Sequence, residues 1–459
     1  MSRQRTGLTL ALLAFAQLIT SLDFNIVFVA LPAIGTDLDF SARTLQWVAS
    51  AYAVTYGGFL LLGGRTADLL GRRRIFVLSL LLFAVSSLVG GLAESPGLLV
   101  AMRAVQGAGA ALLFPATLSL INTRFAEGGE RNRALAVWSG AGASGLALGS
   151  LLGGVLTDAF GWSAVFFVNV PLAAVSIAAA YVLLPADGAR EHGRTFDLPG
   201  AVLATSGITL VAFALIQGPE SGWTSAVILG AFAAAAVLLA GFAAVEQRGA
   251  DPLMPPRLLR NRSLIGAVAL ITVFGATFNA LPFFLTVYFQ TVHGYDALLT
   301  GLAFLVPALL IAAGTQAGAR LAGRIGMRGT LLGGTVTGAA GTAILAAGMS
   351  ADASYWAVLP GIVVMALGQG VTWTAMWIAA ATGVDPGEQG IASGLASTGL
   401  QVGAALGLAV LVAAAGLGSG TLAADLRTAT YLAGAGILLG SVIALTFRRH
   451  RAPALDLAA

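Results

Sequence analysis

The sequence contains no cysteine and no lysine, so that all 24 of its basic residues are arginine. Without cysteine the chain has no disulfide, no thiol nucleophile and no thiolate metal ligand. Without lysine it has no Schiff base and no Walker-type phosphate-binding lysine. Charged residues make up only 10% of the chain. We therefore expect neither ATP hydrolysis nor a bound cofactor.

Histidine is nearly absent as well. The three histidines fall in separate predicted loops, at His192, His293 and His450. Metal sites draw several ligands together, so we expect no metal centre. The residues also assemble no intramembrane nucleophile with a base, so the sequence argues against a membrane enzyme.

Apolar residues and glycine dominate what is present. Hydrophobic residues make up 58% of the chain, 60 residues are glycine, and the mean hydropathy is +0.89. These values lie far outside the range of soluble globular proteins. Glycine suits helices in lipid, where close backbone approach drives association. We expect an all-α integral membrane protein in a lipid bilayer, without a large soluble domain.

Long apolar runs divide the chain into predicted membrane spans. Runs of about 18 to 25 apolar residues, separated by short polar loops, are typical of membrane-spanning helices. The sequence predicts fourteen of them, at 8–31, 45–66, 75–93, 97–122, 134–157, 164–184, 199–217, 224–245, 263–290, 300–320, 329–348, 355–381, 391–414 and 427–447.

The arginines orient these spans. If the N-terminus is cytoplasmic, all arginines except Arg43, Arg103 and Arg427 fall at the cytoplasmic side. This asymmetry satisfies the positive-inside rule and predicts that both termini are cytoplasmic. It also explains the sequence pI of about 9.8 as a consequence of topology. We therefore expect no nucleic-acid partner.

Asp23 and Arg103 are the ionisable residues placed well inside predicted spans. Charges at this depth are costly and usually functional. The helical rise places Asp23 about 12 Å and Arg103 about 9 Å from the outer membrane surface, so both could lie at one level. Such a pair could exchange a proton, because burial and a neighbouring cation act on a carboxyl group in opposite directions. The alternative is a static ion pair that only orients two helices.

The loop "GGRTADLLGRRRIF" (63–76) resembles the signature loop of the major facilitator superfamily. The resemblance implies a cytoplasmic gate that holds the outward-open state. The alternative is an ordinary basic loop. The residues that match are Gly64, Asp68, Gly71, Arg72 and Arg73.

Two further motifs strengthen this resemblance. The stretch "RAVQGAGAALLFPA" (103–116) is similar to a family motif in which the arginine, here Arg103, is implicated in proton handling. The stretch "GLALGSLLGG" (145–154) is similar to the antiporter motif. Ser150 replaces the usual proline of that motif, which weakens the inference of antiport. Its glycines could alternatively serve helix packing alone. They are Gly145, Gly149, Gly153 and Gly154.

The first span, "LITSLDFNIVFVALP" (18–32), resembles that of the fourteen-helix drug:proton antiporter branch, as do "FFVNVPLA" (166–173) and "FDLPGAV" (196–202). The resemblance implies a major facilitator fold: six-helix bundles over 1–184 and 263–447, with an inserted helix pair over 199–245. A weak internal repeat supports two related halves. In it, 319–328 parallels 64–73, aligning Gly71 with Gly326 and Asp68 with Gly323.

The resemblance also implies that the first, fourth, ninth and twelfth helices line a substrate cavity. Aromatic and amide side chains on these helices suit a large apolar pocket with a few polar groups. Each of them could instead face lipid or a neighbouring helix. The candidates are Asn25, Gln106, Asn279, Phe283, Trp373 and Trp377.

Together these features predict a proton-coupled secondary transporter that exports amphiphilic small molecules, such as drugs, antibiotics or natural products. It would reside in the cytoplasmic membrane and function as a monomer, with protons and a small-molecule substrate as partners. One alternative is a proton symporter that imports a nutrient. Another is a membrane receptor or scaffold without transport activity.

Overall fold

The computed structural model describes residues 3–40, 42–187, 198–246, 256–295, 297–415 and 421–447, and their regular structure is helical throughout. The helices follow one another in three groups. The first contains α1 Arg3–Asp37, α2 Ala42–Leu45, α3 Trp47–Leu70, α4 Arg72–Gly91, α5 Pro96–Arg124, α6 Gly129–Phe160, α7 Ala164–Phe167 and α8 Asn169–Leu183. The second contains α9 Leu198–Ser221 and α10 Ala226–Glu246. The third contains α11 Pro256–Arg260, α12 Arg262–Thr277, α13 Leu281–Val287, α14 Ala297–Ala303, α15 Leu305–Gly348, α16 Tyr355–Ala381, α17 Gln389–Ala415 and α18 Leu422–Ala444.

Within the described residues, eleven helical segments are long and apolar enough to cross a membrane. The chain is therefore a multi-pass membrane protein. The predicted spans 45–66 and 134–157 fall on α3 and α6, which are not among the eleven. The predicted spans 300–320 and 329–348 fall on one segment, Leu299–Gly348. The count of fourteen spans therefore stays a prediction.

Two glycines with positive φ interrupt the helices at corresponding places in the first and third groups. Gly71 (φ 104°) separates α3 from α4, and Gly326 (φ 75°) breaks α15. Residues with a Cβ rarely adopt this backbone conformation, so each position favours glycine. This shared geometry is what the predicted alignment of Gly71 with Gly326 requires.

The first and third groups of helices contact each other through α3 with α17 and through α6 with α15. Small residues make the first of these contacts possible. Gly64 lies against the backbone of Gly390, and Gly394 lies close to the backbone of Leu60 and Leu61. Backbone-to-backbone contacts of this kind are how helices associate in lipid.

The helix pair α9–α10 packs beside α3. The rings of Trp47 and Phe213 stack with 5.9 Å between their centroids. Leu61 forms a small buried cluster with Ala201 and Ala204. Because α9 contacts both α3 and α17, it lies beside the contact between the first and third groups of helices.

Candidate coupling and gate site

Asp23 and Arg103 form an ion pair inside the first group of helices. Arg103 Nη1, on α5, donates to Asp23 Oδ2, on α1, at 2.9 Å. The Arg103 side chain is 2% exposed to solvent and the Asp23 side chain is 0% exposed. Charges as buried as these persist only when they are paired. Their contact agrees with the similar depths expected from the sequence.

Gln106 connects both members of the pair. Its Nε2 donates to Asp23 Oδ1 at 2.8 Å and to Ser87 Oγ at 2.8 Å, while its Oε1 accepts from Arg103 Nη1 at 2.7 Å. Sequence analysis nominated Gln106 as a cavity residue. The structure instead places it, fully buried, in the Asp23 network.

Asn169 is a member of this network that the sequence did not indicate, as are Ser87, Val48 and Tyr52. It lies at the start of α8, is buried, and donates from Nδ2 to Asp23 Oδ1 at 2.7 Å. The signal available in the sequence was a single amide inside the apolar run "FFVNVPLA". Nothing in that run points to α1, because the two residues are 146 positions apart.

Contacts with α3 fix the orientation of the Arg103 guanidinium. Arg103 Nε donates to the Val48 carbonyl oxygen at 2.9 Å. The guanidinium carbon also lies 4.4 Å from the centroid of the Tyr52 ring, in a cation–π arrangement. Helices α1, α3, α5 and α8 therefore all contact one buried pair of charges.

Three of the four glycines predicted on α6 pack against the backbone of α1 beside Asp23. A Cβ at Gly145, Gly149 or Gly153 would lie 2.5–2.8 Å from a carbonyl oxygen of α1. The Leu22 carbonyl oxygen is the atom nearest to Gly149. Gly154 differs, because a Cβ there would meet no atom within 4 Å. The glycine motif therefore determines how closely α6 approaches the carboxylate-bearing helix.

We expect Gly149→Val to destabilise the protein, because the new side chain would separate α6 from α1. Overpacking of this kind typically costs about 1–3 kcal/mol. Thermal unfolding in detergent, followed by tryptophan fluorescence, should show a lowered midpoint. Gly154→Val is the matched control and should unfold like the wild type. Equal midpoints for both variants would contradict this packing role.

The predicted gate loop joins the first group of helices to the third. Asp68 Oδ1 pairs with Arg72 at 3.2 Å, and Asp68 Oδ2 accepts from the backbone N–H of Ile391 at 3.1 Å. Arg72 donates to Ser119 Oγ at 2.6 Å and also to the Pro386 carbonyl oxygen. Asp68 and Arg72 thus both contact backbone atoms at or just before the start of α17.

Gly64 and Gly71 permit two close approaches in the same region. A Cβ at Gly64 would overlap the carbonyl oxygen of Gly390, and one at Gly71 would overlap the Asp187 side chain. Arg73 acts differently from Arg72: its backbone N–H donates to Asp187 Oδ1 at 3.0 Å and its guanidinium to the Leu184 carbonyl oxygen at 3.2 Å. Arg73 therefore attaches the loop to the end of α8 and the residues that follow it.

Asp68 lies just past the predicted span 45–66, and its side chain is fully buried. Burial raises the pKa of Asp68 to about 6, against the opposing effects of Arg72 and of the backbone N–H groups of Ile391 and Gly390. Burying this carboxylate therefore carries a net cost in spite of its partners. A costly contact of this kind suits a gate that must reopen.

The profile of the Major Facilitator Superfamily matches residues 13–408. The chain belongs to this superfamily. It is 38% identical to the cephamycin export protein CmcT of Amycolatopsis lactamdurans, over 93% of this chain and 89% of that protein. It is 36% identical to the puromycin resistance protein pur8 of Streptomyces alboniger, over 95% of this chain and 87% of that protein. Membership identifies a transporter, not an enzyme.

Solved structures of superfamily members share the fold. The human organic anion transporter MFSD10 superposes with a TM-score of 0.71 at 17% identity, over 96% of this chain and 99% of that one. The proton:xylose symporter XylE superposes with a TM-score of 0.72 at 13% identity, over 97% and 96% of the two chains. The expected major facilitator fold is therefore confirmed.

Two of the predicted cavity residues of this superfamily member lie in an aromatic cluster between the first and third groups. Trp377, on α16, lies 5.5 Å from Phe114 and 6.1 Å from Trp138 between ring centroids. Trp373 lies 5.8 Å from Trp377 and 5.4 Å from Phe274. Phe114 and Trp138 belong to the first group, so the cluster crosses the line of contact. Sequence analysis nominated neither of those two residues.

The other cavity candidates lie elsewhere. Asn25 is half-buried, with its Cβ facing Gly149 of α6. Asn279 and Phe283 have exposed side chains, and Phe283 packs edge-on against Phe284. Among the described rings, Phe283 has no contact with either tryptophan. The structure thus brings together only the two tryptophans from this predicted set.

The described ranges contain no group of three or more histidine and acidic side chains that could hold a metal ion. His192 and His450 lie outside those ranges. His293 packs edge-on against Tyr288, with 4.6 Å between the ring centroids. The buried network centres on one carboxylate, Asp23, which accepts hydrogen bonds from Arg103, Gln106 and Asn169.

Proposed function

We propose that this transporter exports amphiphilic small molecules, of the antibiotic or natural-product class, across the cytoplasmic membrane in exchange for protons. The buried pair of Asp23 and Arg103 carries the proposal. The names of the cephamycin and puromycin relatives support the substrate class. We further propose that both termini are cytoplasmic and that a monomer is the functional unit.

In the proposed cycle Asp23 alternates between two protonation states. Ionised Asp23 holds Arg103 through a charge-assisted hydrogen bond. Protonation removes the negative charge and leaves the guanidinium buried without a counter-charge, which is costly. Helices α1 and α5 would relieve this cost by moving relative to each other. In this way one proton would change the balance between two conformations.

The loop around Asp68 and Arg72 would hold the cytoplasmic side closed while the cavity faces outward. Its contacts with Ile391 and Pro386 support this role. Opening would require those contacts to break as the two halves rock about the cavity. Proton entry and substrate release would then alternate at one cavity, as exchange requires.

The aromatic cluster is the proposed substrate-binding surface. The rings of Phe114 and Trp138 on one half and of Trp373 and Trp377 on the other could hold a flat apolar compound. A dication would need a second deep carboxylate as a counter-charge, whereas Asp23 is already paired with Arg103. The site therefore favours neutral or singly charged substrates over dications.

One experiment tests both export and coupling. Proteoliposomes carrying an imposed pH gradient receive puromycin, a cephamycin, ethidium or tetraphenylphosphonium, and a trapped pH dye records proton movement. Antiport predicts that substrate moving one way drives protons the other way. Movement of both in the same direction would indicate the alternative, a proton symporter. If no compound produced either signal, the proposed function would be wrong for this panel.

Closure of the gate should depend on pH through Asp68. The closed state holds its pKa at about 6, whereas a solvated Asp titrates near 3.9. The closed state therefore binds the proton more tightly, and acidification favours closure. Between pH 7 and pH 5 the ratio of closed to open molecules should rise about tenfold.

A distance measurement between spin labels across the gate, made at several pH values, checks this expectation. The charged and polar groups that face Asp68 are Arg72, Ser119 and the N–H groups of Gly390 and Ile391. Asp68→Asn removes the titration and keeps an acceptor, so it is the matched control. A pH response that persists in Asp68→Asn would assign the effect to another group.

A further inference from the structure

The side-chain amide of Asn169 uses its nitrogen, but not its oxygen, in a hydrogen bond. Its Nδ2 donates to Asp23 Oδ1 at 2.7 Å. Its Oδ1 is buried and has no hydrogen-bond partner in the described part of the chain. A buried acceptor without a partner is costly, and native proteins keep few of them. The unused oxygen therefore calls for an explanation.

Gln106, the other amide that contacts Asp23, has no such freedom. Its Oε1 accepts from Arg103, and its Nε2 donates to both Asp23 and Ser87. Turning this amide over would set its NH2 group against the Arg103 guanidinium, donor against donor. Gln106 is therefore held in one orientation, whereas Asn169 can turn without losing any bond except the one to Asp23.

Protonation of Asp23 reverses what this carboxyl group needs. The ionised group only accepts hydrogen bonds, and three donors reach it, from Arg103, Gln106 and Asn169. The neutral group carries an O–H that needs a buried acceptor. The unused Asn169 Oδ1 becomes that acceptor after half a turn of the amide about its terminal torsion, which has broad, roughly two-fold minima.

We propose that Asn169 is a positioning residue of the proton site, which donates to ionised Asp23 and accepts from protonated Asp23. This inference rests on the proposed proton coupling. A hydronium ion gives its proton to Asp23, so that one of its O–H bonds breaks as the Asp23 O–H bond forms, and the reverse step returns the proton to water. Asn169 keeps the carboxyl group hydrogen-bonded in both states while Arg103 is released.

The other groups that face Asp23 do not take this part. Arg103 from α5 has donors only. Tyr52 from α3 supports the Arg103 guanidinium with its ring, at 4.4 Å. Ser87 from α4 is bonded to Gln106, and α6 presents glycines to this part of α1. Asn169 on α8 is the amide beside Asp23 whose buried oxygen has no partner among the described residues, so we assign it this acceptor role.

The test measures how substrate-driven proton release depends on pH, for wild type, Asn169→Leu and Asn169→Asp in proteoliposomes. The substrate is whichever panel compound gives the largest wild-type signal. Leucine matches the shape of asparagine and lacks both hydrogen-bonding functions. Aspartate keeps an acceptor but places a second carboxyl group beside Asp23. Ser176→Ala, on the same helix, is the control, because the Ser176 hydroxyl bonds only within α8.

We expect the midpoint of the pH profile to rise by about 0.5–1 pH unit in Asn169→Leu. The reason is that the ionised state loses a charge-assisted hydrogen bond, which is worth more than the neutral bond lost by the protonated state. Asn169→Asp should raise the midpoint further, because two adjacent carboxyl groups resist joint ionisation. Ser176→Ala should keep the wild-type profile.

The outcomes separate three possibilities. Slower transport at every pH with an unchanged midpoint, in both Asn169 variants, would reduce Asn169 to a packing residue and overturn the inference. If Asn169→Leu does not fold, the nearly isosteric Asn169→Asp decides the test. The midpoint of its pH profile must still rise. Wild-type protein that moves substrate without protons would overturn the proposed coupling itself, whatever the variants do.

Discussion

Asp23→Asn should reduce substrate-driven proton release to the level of protein-free liposomes. Asparagine keeps the shape of the side chain and can still accept from Arg103, but it cannot change its charge. Without that change, nothing switches the contact between α1 and α5. Substrate binding should persist, because the aromatic cluster and the gate loop are untouched. Parallel recordings of the pH dye and of radiolabelled substrate measure the two effects separately.

Asp23→Asn also leaves Arg103 buried without a counter-charge, so loss of activity could reflect misfolding. Removing one partner of a buried pair typically costs about 3–5 kcal/mol, whereas removing both often costs little. The double variant Asp23→Asn with Arg103→Gln should therefore unfold closer to the wild-type temperature and still release no protons. Proton release that survives in the single variant would identify the pair as a static ion pair.

Gly64→Val should prevent the gate from closing. The Cβ at this position would overlap the carbonyl oxygen of Gly390 and approach the Gly394 Cα to 3.3 Å. The obstacle is backbone, which no side-chain rotation can move aside, so α3 and α17 must separate. With α3 and α17 apart, Asp68 and Arg72 lose their partners on the third group. Export should fall to background, although each half remains folded.

Because the chain contains no cysteine, spin labels attach only at cysteines that are introduced for this measurement. Spin labels at Ala126→Cys and Thr382→Cys, two exposed positions near the gate on opposite halves, report one distance without any background label. The distance should lengthen by several ångströms in Gly64→Val. Gly323→Val is the control, because a Cβ there meets no atom within 4 Å in the related loop. An unchanged distance and normal export would contradict a gate at Gly64.

Residues whose type is energetically unusual at their position could be identified from the sequence. Asp23 and Arg103 were found because a charge inside an apolar span is rare and costly. Gly71 and Gly326 were aligned because each lies at the same place in a repeated stretch of sequence. In the structure both have positive φ. Each of these signals is local, since it depends on one residue and its immediate neighbours along the chain.

Residues that act through distant partners could not be found in this way. Asn169 is an ordinary amide until α8 brings it to 2.7 Å from Asp23. The partners of Asp68 at Ile391 and of Gly64 at Gly390 lie more than 300 residues away. Gln106 was expected to line a cavity and Arg73 to belong to the gate loop, whereas their hydrogen bonds to Asp23 and Asp187 appear only in the folded chain.

By itself, the sequence determined that this is a helical membrane transporter of the major facilitator superfamily with two oppositely charged residues inside its predicted spans. Those properties follow from hydropathy, from the distribution of arginine and from short motifs. Only the tertiary structure decided which atoms contact the Asp23 carboxylate and where the first and third groups of helices meet. Hydrogen bonding depends on distances of a few ångströms between helices, and those distances are set by packing of the whole chain.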